Sequence, residues 1–182
     1  GVLEYLMPYV RVTRVSSAFA AVGSVWFVVL WSRRVEEETA TSMLADLPLW
    51  GALLSSAAAS IGLFGLSACM NDLIDARRDR AYGSDRPIAT GRVSLDAGAY
   101  VAVLAMILAA AGAAPLGSAA LLLTLGVAVA ILCYHVVGRF VPAIGLAMVG
   151  AIVAGQMLVP NIHLRFLWPV WLVVTHTLLT FG

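Results

Sequence analysis

The chain contains no lysine, and no acidic residue follows Asp96. All eleven basic residues are arginine, a bias of the kind a GC-rich genome produces. Charged residues make up only 12% of the sequence. A globular domain carries roughly a quarter, so a soluble fold of ordinary composition is excluded. The formal net charge of +1 excludes the strongly basic surface that would point to nucleic acid. The two cysteines, Cys69 and Cys133, sit near the ends of apolar runs and not at metal-ligand spacing. They read as small buried hydrophobes, and a disulfide framework is not indicated. Three histidines, His135, His163 and His176, do not have the spacing of a metal site either. Five of the ten acidic residues lie between Asp72 and Asp96, so the ionisable chemistry is concentrated at one place.

What the chain has in abundance is apolar sequence, 62% of the total. It comes in blocks that match the ~20 residues a helix needs to cross a bilayer. Six helices are expected, at about 13–32, 47–70 with an extension to about 80, 94–113, 117–137, 141–160 and 166–182. The fold class is therefore all-α, a polytopic transmembrane helix bundle, read as a single domain over 1–182. The first apolar run lacks a cleavage site followed by a polar mature segment, so it reads as a retained span. The short stretch Ala114-Pro115-Leu116-Gly117 predicts an antiparallel hairpin. With the N-terminus inside, eight arginines fall on inner segments and three on outer ones. That asymmetry places the N-terminus on the cytoplasmic side, in a bacterial inner membrane. Small residues, as in Ser55–Ser60 and Ala109–Gly112, predict close helix contacts. Gln156 and His176 are expected within the membrane, facing the bundle interior or a neighbouring helix.

The nine residues from Asn71 to Asp79 hold three carboxylates and an amide directly after an apolar run. On a helix with Asn71 at zero, Asp72 lies at about 100°, Asp75 at about 40° and Asp79 at about 80°. All four share one face over about two turns. Like charges three and four residues apart repel, so such a face calls for something positive upon it. Oxygen donors of this kind suit Mg²⁺, which commonly joins carboxylates to substrate phosphates. The alternative is a solvated helix end in which Arg77, Arg78 and Arg80 pair with the aspartates.

Residues 85–93 read Asp-Arg-Pro-Ile-Ala-Thr-Gly-Arg-Val. Together, Asn-Asp-x-x-Asp-x-x-x-Asp at the end of an apolar helix and the following Arg-Pro-Ile-Ala-Thr-Gly-Arg resemble the UbiA superfamily of intramembrane prenyltransferases. The start of the chain, Tyr9-Val10-Arg11-Val12-Thr13-Arg14, is loosely similar too. The resemblance implies a bundle of nine spanning helices around a cavity. It implies Mg²⁺-dependent transfer of an isoprenoid from a polyprenyl diphosphate to an acceptor, often an aromatic ring, in quinone or related prenyl-lipid biosynthesis. Asn71, Asp72, Asp75 and Asp79 match the family's first acidic motif and would hold the metal, with Asp72, Asp75 and Asp79 as the catalytic carboxylates. Arg78, Arg86 and Arg92 would meet phosphate oxygens. Tyr134 and Arg139, which with Asn71 would also bind substrate, stand near the place where many members carry Tyr and, four residues later, Lys; here the basic residue comes one position late.

The family's second acidic motif, after its sixth helix, has no counterpart here. The resemblance therefore covers the first two-thirds of a family member. One expectation is a fragment of a longer enzyme, since Gly1 is not Met and the sixth helix stops at Gly182. The other is a non-catalytic membrane subunit that binds lipid, quinone or pigment within a larger assembly.

Overall fold

The structure, a computed structural model, describes residues 2–36 and 47–162 together with positions 171, 174, 175 and 179. Six helices run in the order α1 (Val2–Thr13), α2 (Val15–Glu36), α3 (Leu49–Ala81), α4 (Leu95–Ala113), α5 (Ser118–Val136) and α6 (Pro142–Leu158). Short 3₁₀ turns follow α4, α5 and α6, and the described residues contain no strand.

The expected helices at 47–80, 94–113, 117–137 and 141–160 are all present. The first expected helix differs. It begins at Val15 and is preceded by a separate helix, α1. The break falls at Arg14, whose φ of 48° places a non-glycine residue in the left-handed region. The two segments meet at 50°. No glycine or proline marks the break in the sequence. The sixth expected helix, 166–182, lies outside the described residues apart from isolated helical positions, and so do His163, His176 and Trp168.

Helices α3, α4, α5 and α6 are long and apolar enough to cross a membrane, and the bent α1–α2 pair makes a fifth candidate. Their packing inverts the pattern of a water-soluble bundle. The buried face of α4 consists of Gly98, Ala102, Ala105, Ala109, Gly112 and Ala113. Its large residues Tyr100, Val103, Leu104, Ile107 and Leu108 point outward. The same holds for α5, where Leu122, Leu125, Val129 and Val136 are exposed. Lipid removes the penalty for outward apolar groups, and close packing of small residues supplies the helix contact. Cys69 is buried as expected, but Cys133 lies exposed on the outer side of α5. An apolar block in a membrane bundle has a lipid face as well as a core face, and apolar character alone does not distinguish them.

Helix α3 is the hub, touching α1, α2, α4 and α5. Its contact with α4 is made backbone to backbone. A Cβ at Gly62 would stand 2.6 Å from the Ala105 carbonyl oxygen, and one at Gly112 would stand 2.7 Å from that of Ser55. The α4–α5 hairpin closes as expected through Ala114–Leu116, with Gly117 at a φ of 104° that favours glycine. At the far end, the buried Ser32 hydroxyl donates to Asn161 Oδ1 at 2.6 Å, joining α2 to the turn after α6.

Gly112→Val should cost about 1–3 kcal/mol through overpacking of the α3–α4 seam. Gly126→Val, where an added Cβ meets nothing within 4 Å, serves as the control. Thermal melts of the two variants in detergent should differ clearly; superimposable melts would contradict this packing.

Candidate active site

No glycine or proline occurs between Gly65 and Gly83, so α3 continues past its apolar run and carries the acidic motif on helix. Asp72, Asp75 and Asp79 are all buried, with 2%, 4% and 9% exposure. Asn71 is half-buried. Three buried carboxylates on one helix face need compensating charge, because an unpaired buried ion is strongly destabilising.

The compensation comes from arginines on four different parts of the chain. Arg14, at the α1–α2 break, reaches Asp72 Oδ1 at 3.0 Å. Arg86 bridges two carboxylates, with Nη1 at 2.7 Å from Asp79 Oδ2 and 3.4 Å from Asp72 Oδ1. Arg139 meets Asp75 with both terminal nitrogens, at 2.8 and 2.9 Å. Such a two-pronged pair fixes geometry as well as charge. Arg78, on α3 itself, lies 3.7 Å from Asp75 and is largely exposed.

Local folding explains how these arginines arrive. Between α3 and α4 the chain forms a tight cap rather than a loose loop. The Ser84 N–H donates to the Asp79 carbonyl at 2.9 Å, and Thr90 N–H to that of Arg86 at 3.0 Å. Gly83 and Gly91 take left-handed φ values of 66° and 75°. Ile88 and Val93 are buried in the core cluster. A Cβ at Gly98 would stand 2.8 Å from Ile88 Cδ1, so this glycine seats the cap. The Ser94 hydroxyl then accepts from Ala97 N–H and starts α4. Burial of Ile88 and Val93 thus holds Arg86 over the aspartates. Arg139 sits on the Gly138–Phe140 turn, with its guanidinium 4.9 Å from the Phe140 ring centre. That turn rests on α6, where a Cβ at Gly145 would meet the Gly138 carbonyl oxygen at 2.7 Å.

Beside Arg139 lies an open cavity of about 380 Å³ lined by Tyr134, Arg139, Pro142, Gly145, Leu146 and Val149. It offers one phenol and one guanidinium against an apolar wall. His135, next to Tyr134, turns the other way. It is buried, and its Nε2 lies 3.1 Å from Ser67 Oγ on α3. It is an interhelical contact rather than a wall of this cavity.

Of the residues singled out in the sequence, the structure brings together Asp72, Asp75, Asp79, Arg78, Arg86 and Arg139, with Tyr134 at the adjoining cavity. Arg92 stands apart: its guanidinium donates to Thr90 Oγ1 and to the Asp85 carbonyl, each at 3.1 Å. Asn71 shares the helix with the aspartates but forms none of these pairs. Arg14 was not anticipated as a site residue. Its pair with Asp72 spans 58 residues, and helical periodicity carries no signal of such a pairing. The helix-end alternative is met only by Arg78; Arg80 instead donates to the Ala89 carbonyl at 3.3 Å.

The donor set is all hard oxygen, the type Mg²⁺ takes. In this arrangement the carboxylates face guanidinium groups, and among the described residues no three acidic, histidine or cysteine side chains converge on one point. The chemistry of the donors fits the ion; the guanidinium groups would have to give ground to it.

Arg139→Gln leaves Asp75 buried without its two-pronged partner and should cost about 3–5 kcal/mol. Arg78→Gln removes only an exposed, distant partner and should cost less than about 1 kcal/mol. Thermal unfolding of the two variants checks the order; a reversed order would overturn the assignment of Arg139 as the principal partner.

Comparison with known proteins accords with this geometry. No curated protein sequence matches the chain significantly. A solved structure from work on digeranylgeranylglyceryl phosphate synthase in membranes superimposes with a TM-score of 0.78 at 19% identity. The match covers 98% of this chain and 60% of that one, so this chain spans under two-thirds of that protein's length. At that identity the likeness establishes a shared fold. The model of the UbiA prenyltransferase family matches residues 39–181. A four-sided arginine setting around Asp72, Asp75 and Asp79, on a membrane bundle of this fold and with most of its length matched by that model, leads to one conclusion: the chain belongs to the UbiA prenyltransferase family.

Proposed function

We propose that the protein transfers a prenyl chain from a polyprenyl diphosphate to an acceptor in the membrane. The acceptor class we favour is an aromatic ring or a related prenyl-lipid precursor. The observation that carries the reading is the buried carboxylate face of α3, set among guanidinium groups, one of which, Arg139, also lines an adjoining cavity with an apolar wall. A diphosphate needs positive charge around its oxygens, and an isoprenoid tail needs an apolar wall; both lie side by side here.

Asp72, Asp75 and Asp79, with the amide of Asn71, are the residues that would hold Mg²⁺, which neutralises diphosphate charge when bound. Arg14, Arg86 and Arg139 have the reach to exchange a carboxylate for a phosphate oxygen. Preorganised cations aimed at the leaving diphosphate stabilise the charge that develops as its C–O bond to the prenyl chain breaks. Arg78, at the exposed edge, would meet an outer oxygen. Tyr134 lines the cavity next to Arg139 and would orient the bound chain or acceptor. Arg139, one position after the place where many relatives carry Lys, presents a planar fork instead of a point charge and would meet phosphate with two nitrogens.

The Arg14–Asp72 pair holds the α1–α2 break and the acidic motif at the same end of the bundle. With the arginine asymmetry of the sequence, this supports a cytoplasmic N-terminus and a cytoplasmic active site. The 182 residues read as one transmembrane unit, corresponding to the first two-thirds of a UbiA-type bundle. The second reading, a non-catalytic lipid- or pigment-binding subunit, draws on the guanidinium groups that already pair with all three carboxylates.

In the full-length protein, Asp72→Asn and Asp75→Asn should each lower prenyl transfer by on the order of 10²–10³-fold. The assay is transfer from a labelled polyprenyl diphosphate with Mg²⁺ present. A chelator should abolish turnover and added Mg²⁺ restore it. Wild-type rates in both variants would sink the enzyme reading, and an inactive wild-type protein would favour the second.

A further inference from the structure

Arg11 and Arg92 take no part in the carboxylate cluster, yet the fold brings them to one place. They line an open pocket of about 300 Å³ together with Glu4, Met7 and Pro8. Arg92 is held in position by its bonds to Thr90 and Asp85. The Arg11 side chain forms no ion pair or hydrogen bond among the described residues. The lining carries two guanidinium groups and one carboxylate, so positive groups are in excess there. One wall is apolar, made of Met7 and Pro8.

The surroundings decide what chemistry this suits. Helix α1 is amphipathic. Val12 is buried in the core and Tyr9 packs against it, while Tyr5, Leu6, Met7 and Val10 are 70%, 47%, 44% and 44% exposed. The helix leaves the line of α2 at 50°, and its exposed apolar side with nearby arginines suits the bilayer interface. Its exposed apolar residues would lie among acyl chains, with the pocket at the headgroup level. Basic residues at this depth are attracted to anionic lipid.

We propose that Arg11 and Arg92, with Met7 and Pro8, form a binding site for the headgroup of an anionic membrane phospholipid. The phosphodiester lies between the two guanidinium groups, and the first acyl carbons run over Met7 and Pro8. The negative phosphodiester is opposite in charge to the two guanidinium groups that line the pocket. The site is separate from the carboxylate cluster, so the proposal stands or falls apart from the prenyl-transfer reading. It ties α1 and the cap between α3 and α4 to the membrane surface through one lipid.

The test is native mass spectrometry of the full-length protein in detergent, titrated with phosphatidylglycerol. The R11Q/R92Q double variant should bind the first lipid at least about tenfold more weakly than wild type. Arg34→Gln, an exposed arginine outside the pocket, should bind as wild type does. Met7→Asp keeps both arginines and places a carboxylate in the pocket; it should weaken lipid binding while the protein still melts as wild type. Equal lipid affinity in wild type and the double variant would overturn the proposal. So would an equal loss in Arg34→Gln, which would make the effect one of general charge. Displacement of the lipid by millimolar inorganic phosphate would overturn it too, since the pocket would then be a site for a free anion.

Discussion

Three carboxylates buried on one helix face at a membrane boundary are the constraint around which this end of the bundle is built. In water each would be solvated at little cost. Here each must face a cation, and the cations come from the α1–α2 break, the cap after α3 and the turn after α5. Helix α3 therefore draws three remote segments to itself by charge, in a molecule whose helices otherwise meet through alanine and glycine. The apolar contacts decide which helices are neighbours. The ion pairs decide how their ends are aligned.

Much of this was legible in the sequence. The helix through Asn71–Asp79 followed from the lack of any breaker before Gly83, and the shared face of the aspartates from spacing alone. The hairpin at Ala114–Gly117 followed from its proline and glycine. The break at Arg14 did not, because nothing in Thr13-Arg14-Val15 announces a left-handed residue. Its partner could not be read either. Pairing across 58 residues is a property of the folded bundle, and the sequence equally allowed local pairs with Arg77, Arg78 and Arg80. Arg139 looked one position late against its relatives, yet the Gly138–Phe140 turn delivers it to Asp75 with both nitrogens engaged.

Lipid facing was the least legible property. Cys133 and Cys69 sit in similar apolar runs, yet one is exposed and one buried. The usual inference from apolar residue to core fails where the solvent is itself apolar. Residue size is the better guide in this bundle: on α4 the small residues face inward and the large ones face outward.

The glycine-mediated seam between α3 and α4 has a consequence for stiffness. Two backbones in direct contact at Gly62 and Gly112 leave no side-chain layer between the helices, so rotamer changes cannot part them. The cleft at Tyr134 and Leu146, between α5 and α6, is walled by side chains instead. The bundle is thus mechanically one-sided: a rigid backbone seam at α3–α4, and an adaptable side-chain wall on the flank where Arg139 sits.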